Sequence, residues 1–230
     1  MPRRIVIVGA NAAGVDAASA ARKTDRTAEI TLVTNESVGA YSRCGLPFVI
    51  GGQIPKFEDL IIYPPSYYKM MKLNLMLETE VKGIDVGKRS VDLEGKGGSQ
   101  TLEYDSLILA TGARSFVPPM KGVDKKGVYS LRTLEDGVAI SKAAEKAKTA
   151  VVVGAGFIGL ETAAALVERG VKTTVVELLP YIMPTILDRD MAERAMKILG
   201  EHGIRFVIGR AVDEVLGGEE AVSYTHLTLP

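Results

Sequence analysis

The 230 residues carry 28 basic and 28 acidic side chains, a formal net charge of zero, 47% hydrophobic residues and a single cysteine. A balanced charge without a Lys/Arg run gives no electrostatic footprint for nucleic acid, and the apolar runs are too short for a membrane span or a signal-peptide core. One cysteine excludes an internal disulfide framework and points to a reducing, cytoplasmic setting.

Arg4 to Val8 is a β-branched run ending at Gly9, Ala12 to Lys23 reads as a helix, and Glu29 to Val33 reads as the next strand. This β-α-β unit has Gly9-Ala10-Asn11-Ala12-Ala13-Gly14 at its first turn. In such a unit the first glycine makes the tight turn and the last lets helix and strand pack closely. A dinucleotide pyrophosphate then sits on the helix N-terminus. Asn11 stands where the fingerprint has its middle glycine. An acid about 20 residues further on should meet the ribose hydroxyls. The strand ends in Thr34-Asn35-Glu36, so Glu36 is the candidate, slightly displaced.

The stretch from Tyr41 to Gly52 holds Cys44 at what reads as the start of a short helix, with Gly45 and Pro47 suited to a first turn. A helix N-terminus and the adjacent Arg43 both favour thiolate over thiol, which makes Cys44 a candidate nucleophile. The alternative is a small buried hydrophobe, the usual fate of a lone cysteine, and this stretch alone does not separate the two.

From Gln53 to Pro65 the chain is turn-rich, and Ser66 to Met71 suits a short helix. Leu73 to Leu77, Gly83 to Val86, Ser90 to Leu93 and Thr101 to Tyr104 read as strands, with Glu94 to Gln100 as a hairpin loop. This β-rich insertion precedes Leu107 to Gly112, a strand ending on Thr111 and Gly112, where backbone can approach a ligand closely. Arg114 to Lys126, with Pro118-Pro119, reads as a linker between domains.

A second β-α-β unit follows, with strands at Thr149 to Val153 and Lys172 to Val176 around a helix from Phe157 to Arg169. Its turn, Gly154-Ala155-Gly156-Phe157-Ile158-Gly159, is a full Gly-x-Gly-x-x-Gly, and Glu177 stands where the ribose acid belongs. Asp188 to Gly203 reads as an amphipathic helix and Ile204 to Ile208 as another strand. Two dinucleotide units and one thiol suggest hydride passing from a nicotinamide through a flavin to sulfur. The last nine residues, Val222 to Pro230, look like translated sequencing adapter and are set aside as a non-native tail; the alternative is a genuine C-terminal strand.

Four motifs together resemble the flavin-dependent pyridine nucleotide–disulfide oxidoreductases: Gly9 to Gly14, Cys44-Gly45-Leu46-Pro47, Ala110-Thr111-Gly112, and Gly154 to Gly159 with Glu161. The sequence is most similar to their single-cysteine branch of coenzyme A-disulfide reductases and NADH oxidases. The resemblance implies an α/β fold of two Rossmann-like domains. An FAD domain with a β-rich insertion (1–113) is followed by a linker (114–126), an NAD(P) domain (127–221) and the tail (222–230). Relatives run on to a second FAD segment and a dimerisation domain, so the sequence reads as truncated before both, and the full-length form is expected to be a homodimer.

The resemblance also implies roles. Gly9, Ala12, Ala13 and Gly14 match the FAD pyrophosphate turn, and Val81 falls where backbone meets the adenine. Ala110, Thr111 and Gly112 close over the cofactor, with Glu36 and Arg43 as further cofactor contacts. Gly154, Gly156, Ile158 and Gly159 belong to the NADH turn, with NADPH as the second option. Phe157 matches an aromatic that covers the flavin, Glu161 an acid near the nicotinamide, and Glu177 the ribose acid. Cys44 is the redox residue, acting on a small disulfide or persulfide. Peroxidase and water-forming oxidase members carry a histidine where Ala12 stands, which tilts the reading away from oxygen. Oxygen or peroxide reduction through a Cys44 sulfenic acid, and a rubredoxin- or ferredoxin-type electron-transfer reductase, are the alternatives. No metal site is expected.

Overall fold

The computed structural model describes residues 1–218 and 223–225. Its first elements are β1 (Arg4–Val8), α1 (Ala12–Thr24), β2 (Glu29–Val33), a 3-10 turn (Arg43–Gly45), α2 (Leu46–Gly51) and a second 3-10 turn (Phe57–Leu60). Then come α3 (Pro65–Met70), β3 (Leu73–Met76), β4 (Thr79–Asp85), β5 (Ser90–Gly95), β6 (Gly98–Glu103) and β7 (Ser106–Leu109). The remainder is α4 (Leu134–Ala144), β8 (Thr149–Val153), α5 (Phe157–Glu168), β9 (Lys172–Glu177), α6 (Arg189–Glu201), β10 (Arg205–Ile208), β11 (Glu214–Leu216) and β12 (Ser223–Thr225). The chain divides into two compact units, Met1–Ser42 with Leu60–Arg114, and Arg43–Asp59 with the chain from Ser115 onward.

The first unit is built on a parallel sheet in the order β3-β2-β1-β7. Alternate residues of β1 face opposite sides, as the pleat requires. Ile5 and Ile7 pack with Val15 and Ala18 of α1 and with Ile30, Leu32 and Tyr68. Val6 packs the other way, with Val33 and with Val91, Leu93 and Tyr104 of the antiparallel sheet β4-β5-β6 and its exit. The central strands β1 and β2 are therefore buried on both faces, which is why they read as largely apolar runs. Arg4 fixes the start of β1, since its backbone N–H donates to Asp105 at 2.7 Å and its guanidinium bridges to Glu103. That backbone bond, with the guanidinium behind it, holds the Asp105 carboxyl below the usual carboxylate range.

Two expectations for this unit change in detail. The glycine-rich stretch 94–100 reads as loop, yet Glu94 pairs Ser99 and Gly95 pairs Gly98, because Gly98 at φ 93° closes the hairpin at once. The strand expected to run to Gly112 stops at Leu109, after which Ala110 donates one last bond to the Val8 carbonyl at 2.7 Å.

Arg22, near the end of α1, is the main fastener of this unit's outer layer. Its guanidinium donates to the carbonyls of Met71 (2.9 Å), Lys72 (2.8 Å), Ala28 (2.8 Å), Arg26 (3.1 Å) and Asp25 (3.3 Å). A planar fork with five N–H donors can tie the α1–β2 and α3–β3 turns together, and an ammonium cannot reproduce that geometry. Arg22→Ala is therefore expected to lower stability by about 2 kcal/mol or more, with Arg22→Lys recovering only part of it. Chemical denaturation of the three proteins checks this, and equal midpoints for all three would contradict it.

The second unit has a parallel sheet in the order β10-β9-β8. Val175 of β9 packs with Leu160 and Ala163 of α5, Ala192 of α6 and Ile204. A separate cluster joins Ile50 of α2 to Ile140 and Ala144 of α4 and to Ala165 and Leu166 of α5. Helix α4 has no counterpart among the expected elements. Its signal was local: Thr133 and Asp136 form a reciprocal capping box at its start. Of the residues set aside as a tail, Ser223–Thr225 pair antiparallel with β11, Leu216 opposite Ser223, whereas Val222 and 226–230 lie outside the described residues. Among the described residues no helix is long and apolar enough to cross a membrane.

Candidate functional site

The two glycine turns have the same construction. Gly9 adopts φ 108° and donates to the Val33 carbonyl at 2.8 Å; Gly154 adopts φ 101° and donates to the Val176 carbonyl at 2.8 Å. In both, the chain leaves one strand, bonds near the end of the next, and enters a helix. A Cβ at Gly14 would fall on the carbonyl oxygen of Gly9, and a Cβ at Gly159 on that of Gly154. The third fingerprint position in each unit is thus a close approach of backbone to backbone, which only glycine permits.

The turns differ in what stands above them. At the second, among the described residues no heavy atom beyond Gly156 and its chain neighbours lies within 4 Å of where a Cβ on Gly156 would be. Helix α5 starts there without a side-chain cap, and Phe157 and Ile158 are exposed. Open space over uncapped N–H groups fits a pyrophosphate. At the first turn Asn11 caps α1, its Oδ1 accepting the Ala12 N–H at 2.7 Å. Its Nδ2 is buried with no partner, a donor suited to an anionic oxygen, and Ala12 and Ala13 are exposed. This turn fits a pyrophosphate as well, with an amide in place of the middle glycine. Ala110 joins it: a Cβ on Gly9 would meet the Ala110 carbonyl, and the exposed Thr111 and Gly112 follow directly.

The two acids are not equivalent. Glu177, at the end of β9, is only 9% exposed. Its Oε2 accepts the Ala155 N–H at 2.6 Å and its Oε1 the Leu179 N–H at 2.8 Å. The carboxylate therefore holds the second turn in shape, with lone pairs remaining for further donors. Thr34 stands at the matching place in the first unit, and its Oγ1 accepts the Glu36 N–H at 3.3 Å. Glu36 lies two residues beyond, half-buried, accepting the hydroxyl of the buried Tyr41 at 2.7 Å. Val81 sits at a β-bulge in β4, half-buried against the Val91 and Leu93 cluster. Glu161 is exposed on α5.

Cys44 is exposed, which removes the buried-hydrophobe alternative. It lies in the 3-10 turn Arg43–Gly45, so the α-helix proper begins two residues later than the sequence suggested, with Gly45 as its N-cap. Arg43 donates its guanidinium to the Arg132 carbonyl at 2.7 Å. Arg132 in turn precedes the capping box of α4, where Asp136 Oδ2 accepts the Arg132 and Thr133 N–H groups, each at 2.9 Å. Cys44 and the second turn belong to one unit, with α2 packed on the C-terminal half of α5 and the turn at that helix's other end. The first turn, Glu36, Val81 and Ala110 to Gly112 belong to the other unit.

Sequence reasoning missed two arginines. Arg210 donates its backbone N–H to the Glu177 carbonyl at 3.0 Å, bringing the backbone of a residue 33 positions away in sequence against the end of β9. Arg169 caps α5 and donates its Nε to the Ile50 carbonyl of α2 at 2.6 Å. Neither belongs to a motif, so only the fold reveals them.

The family model for pyridine nucleotide-disulphide oxidoreductases matches residues 3–229. An NADH oxidase of Methanocaldococcus jannaschii is 41% identical over 221 residues, covering 94% of this chain and 49% of that protein. An NAD(P)H sulfur oxidoreductase (CoA-dependent) of Pyrococcus abyssi is 33% identical, over 87% of this chain and 45% of its own length. Among solved structures, an NAD-dependent persulfide reductase from A. fulgidus superposes with a TM-score of 0.92 at 34% identity, covering 96% of this chain and 42% of that one. The chain thus spans about half the length of the curated relatives it matches. With both glycine turns and the cysteine turn in place, and a family model matched along nearly its whole length, the chain belongs to the pyridine nucleotide-disulphide oxidoreductase family.

Proposed function

We propose that this protein is an FAD-dependent oxidoreductase that passes hydride from NAD(P)H through FAD to a small disulfide or persulfide by way of Cys44. In this reading FAD belongs to residues 1–113, held by Gly9, Ala12, Ala13 and Gly14 with Ala110, Thr111 and Gly112, and further contacts from Glu36, Arg43 and Val81. The nicotinamide dinucleotide belongs to residues 127–221, on Gly154, Gly156, Ile158 and Gly159, with Phe157, Glu161 and Glu177 around it. When bound, the two cofactors supply two-electron reducing equivalents. The observation that carries the reading is the exposure of Cys44 on a turn anchored through Arg43 to a capped helix.

The chain's own chemistry is that of a thiolate. Cys44 Sγ attacks one sulfur of the substrate disulfide, the S–S bond breaks, and one thiol leaves as its thiolate and takes a proton from solvent. The remaining mixed disulfide on Cys44 then needs two electrons and one proton to release the second thiol. A persulfide acceptor follows the same balance with hydrosulfide as one product. Oxygen or peroxide reduction through a Cys44 sulfenic acid is the second reading, favoured by the NADH oxidase of M. jannaschii at 41% identity. The deciding experiment measures NADH consumption with coenzyme A disulfide, polysulfide or oxygen as sole acceptor, with products quantified. Turnover confined to oxygen would replace the first reading with the second.

NADH is expected to be preferred over NADPH by roughly tenfold or more in kcat/KM, because a 2′-phosphate would meet the Glu177 carboxylate. Leu178 and Leu179, exposed beyond the strand, offer no compensating charge. Arg210, whose backbone bonds to Glu177, carries a positive charge, and Arg210→Gln is expected to widen the preference. Steady-state kinetics with both nucleotides at matched salt checks this, and a higher kcat/KM for NADPH would contradict it.

A further inference from the structure

We propose that Arg169 is a positioning residue for Cys44: it fixes the short helix that follows the cysteine to the helix that begins at the second glycine turn. The proposal rests on the role of Cys44 given above and deepens it.

Helix α2 has six residues, too few to hold its own shape without tertiary contacts. Three contacts anchor it besides Arg169. Ile50 is fully buried among Ile140, Ala144, Ala165 and Leu166. Gly51 lies so close to α5 that a Cβ there would stand 3.3 Å from Ala165 Cα and 2.6 Å from Glu168 Oε2. Beyond the helix, Gln53 donates its Nε2 to Glu168 Oε1 at 2.8 Å.

Arg169 completes the set. Its Nε donates to the Ile50 carbonyl at 2.6 Å, one of the carbonyls that the end of a helix leaves without an intrahelical partner. Its Nη2 reaches Ser141 Oγ of α4 at 3.3 Å. One guanidinium therefore joins α2, α4 and α5, and a charge-assisted bond of this kind is about twice as strong as a neutral one. At the other end of the same stretch Arg43 holds the cysteine turn to the start of α4. Cys44 lies between two arginine anchors, both made within the second unit.

A thiol that must attack a substrate sulfur and then be reduced tolerates little displacement, and a shift of about 1 Å can cost on the order of 100-fold in rate. Loss of the Arg169 anchor frees the C-terminal end of α2 while leaving Cys44, Arg43 and the nucleotide turn chemically intact. This separates a positioning effect from a change in the thiol's own chemistry.

The test uses Arg169→Gln, Arg169→Lys and Gly51→Ala in the whole protein. Gly51→Ala removes no charge and leaves Arg169 in place, while its methyl crowds Ala165 and Glu168 of α5. Three rates are followed: modification of Cys44 by iodoacetamide without NADH or substrate, NADH-driven flavin reduction, and full turnover with a disulfide. Arg169→Gln and Gly51→Ala are expected to change the modification rate by roughly fivefold or more and to lower turnover similarly. The flavin reduction rate and the KM for NADH should stay near wild type, and Arg169→Lys should recover part of the loss. If Arg169→Gln does not fold, Gly51→Ala carries the same test. Wild-type modification rates in the folded variants would overturn the proposal. So would an equal fall in flavin reduction and turnover, as a general loss of structure produces. Full activity of Cys44→Ser would instead overturn the role of the cysteine, and it leaves the modification rates standing as a separate result.

Discussion

Cys44→Ser is expected to lower disulfide-dependent NADH turnover by at least about 10³-fold while leaving reduction of the flavin by NADH near its normal rate. The reason is chemical. A serine hydroxyl cannot form the mixed disulfide, and no other thiol exists in the chain to take its place. The exposure of Cys44 means that the loss cannot be ascribed to a cavity in the core, because the residue is not part of one. Rapid mixing of the variant with NADH, followed by addition of disulfide, separates the two half-reactions. Mass spectrometry of the wild-type protein after substrate treatment should show an adduct on Cys44 that dithiothreitol removes. Full turnover in Cys44→Ser would end the covalent reading and favour the electron-transfer alternative, in which the cysteine is structural.

The sequence made some levels of this molecule legible and others not, for identifiable reasons. The parallel sheets were readable from strands such as β1, whose Ile5 to Val8 are apolar without interruption and end at Gly9, and from the glycine turn that precedes α5. Helix α4 was not, although Thr133 and Asp136 form a capping box, because its apolar positions are spaced among small and polar residues. The hairpin at Gly95 and Gly98 was read as loop because glycine weakens every strand signal even where its backbone pairs.

At the candidate site the motif residues could be named in advance, since backbone geometry dictates glycine and chemistry dictates cysteine. Their supports could not. Arg43 reads as a charge beside a thiol, and only the fold shows its guanidinium turned to the Arg132 carbonyl. Glu177 reads as a ribose ligand, yet it also fastens the turn through Ala155 and Leu179, a task that depends on three-dimensional proximity rather than on spacing. Arginines at positions 22, 169 and 210 act on backbone carbonyls or carry a backbone contact, and carbonyls leave no trace in sequence.

The matched construction of the two turns leads to a reciprocal expectation. Gly159→Ala should weaken NADH binding by about 10- to 100-fold and leave bound FAD in place, whereas Gly14→Ala should abolish FAD retention and leave the second turn able to bind NADH. In each case the new methyl would occupy the position of a carbonyl oxygen, on Gly154 or on Gly9, and these atoms belong to backbone that cannot rotate away. Relief requires moving the helix start relative to its strand. That movement carries the first N–H groups of α5 or α1 away from the place where a pyrophosphate would meet them. The effect should be confined to one turn because each is fastened within its own sheet, Gly154 to Val176 and Gly9 to Val33. Flavin absorbance after gel filtration and calorimetric titration with NADH, applied to both variants, read the two sites separately. If either substitution reduced both ligands equally, together with the melting temperature, the turns would be structural elements of a shared fold rather than two dedicated sites. A Gly156→Ala control sharpens the comparison. Beyond its chain neighbours its methyl meets no atom of the described residues within 4 Å, so it should leave stability unchanged and weaken only the nucleotide that approaches that open space.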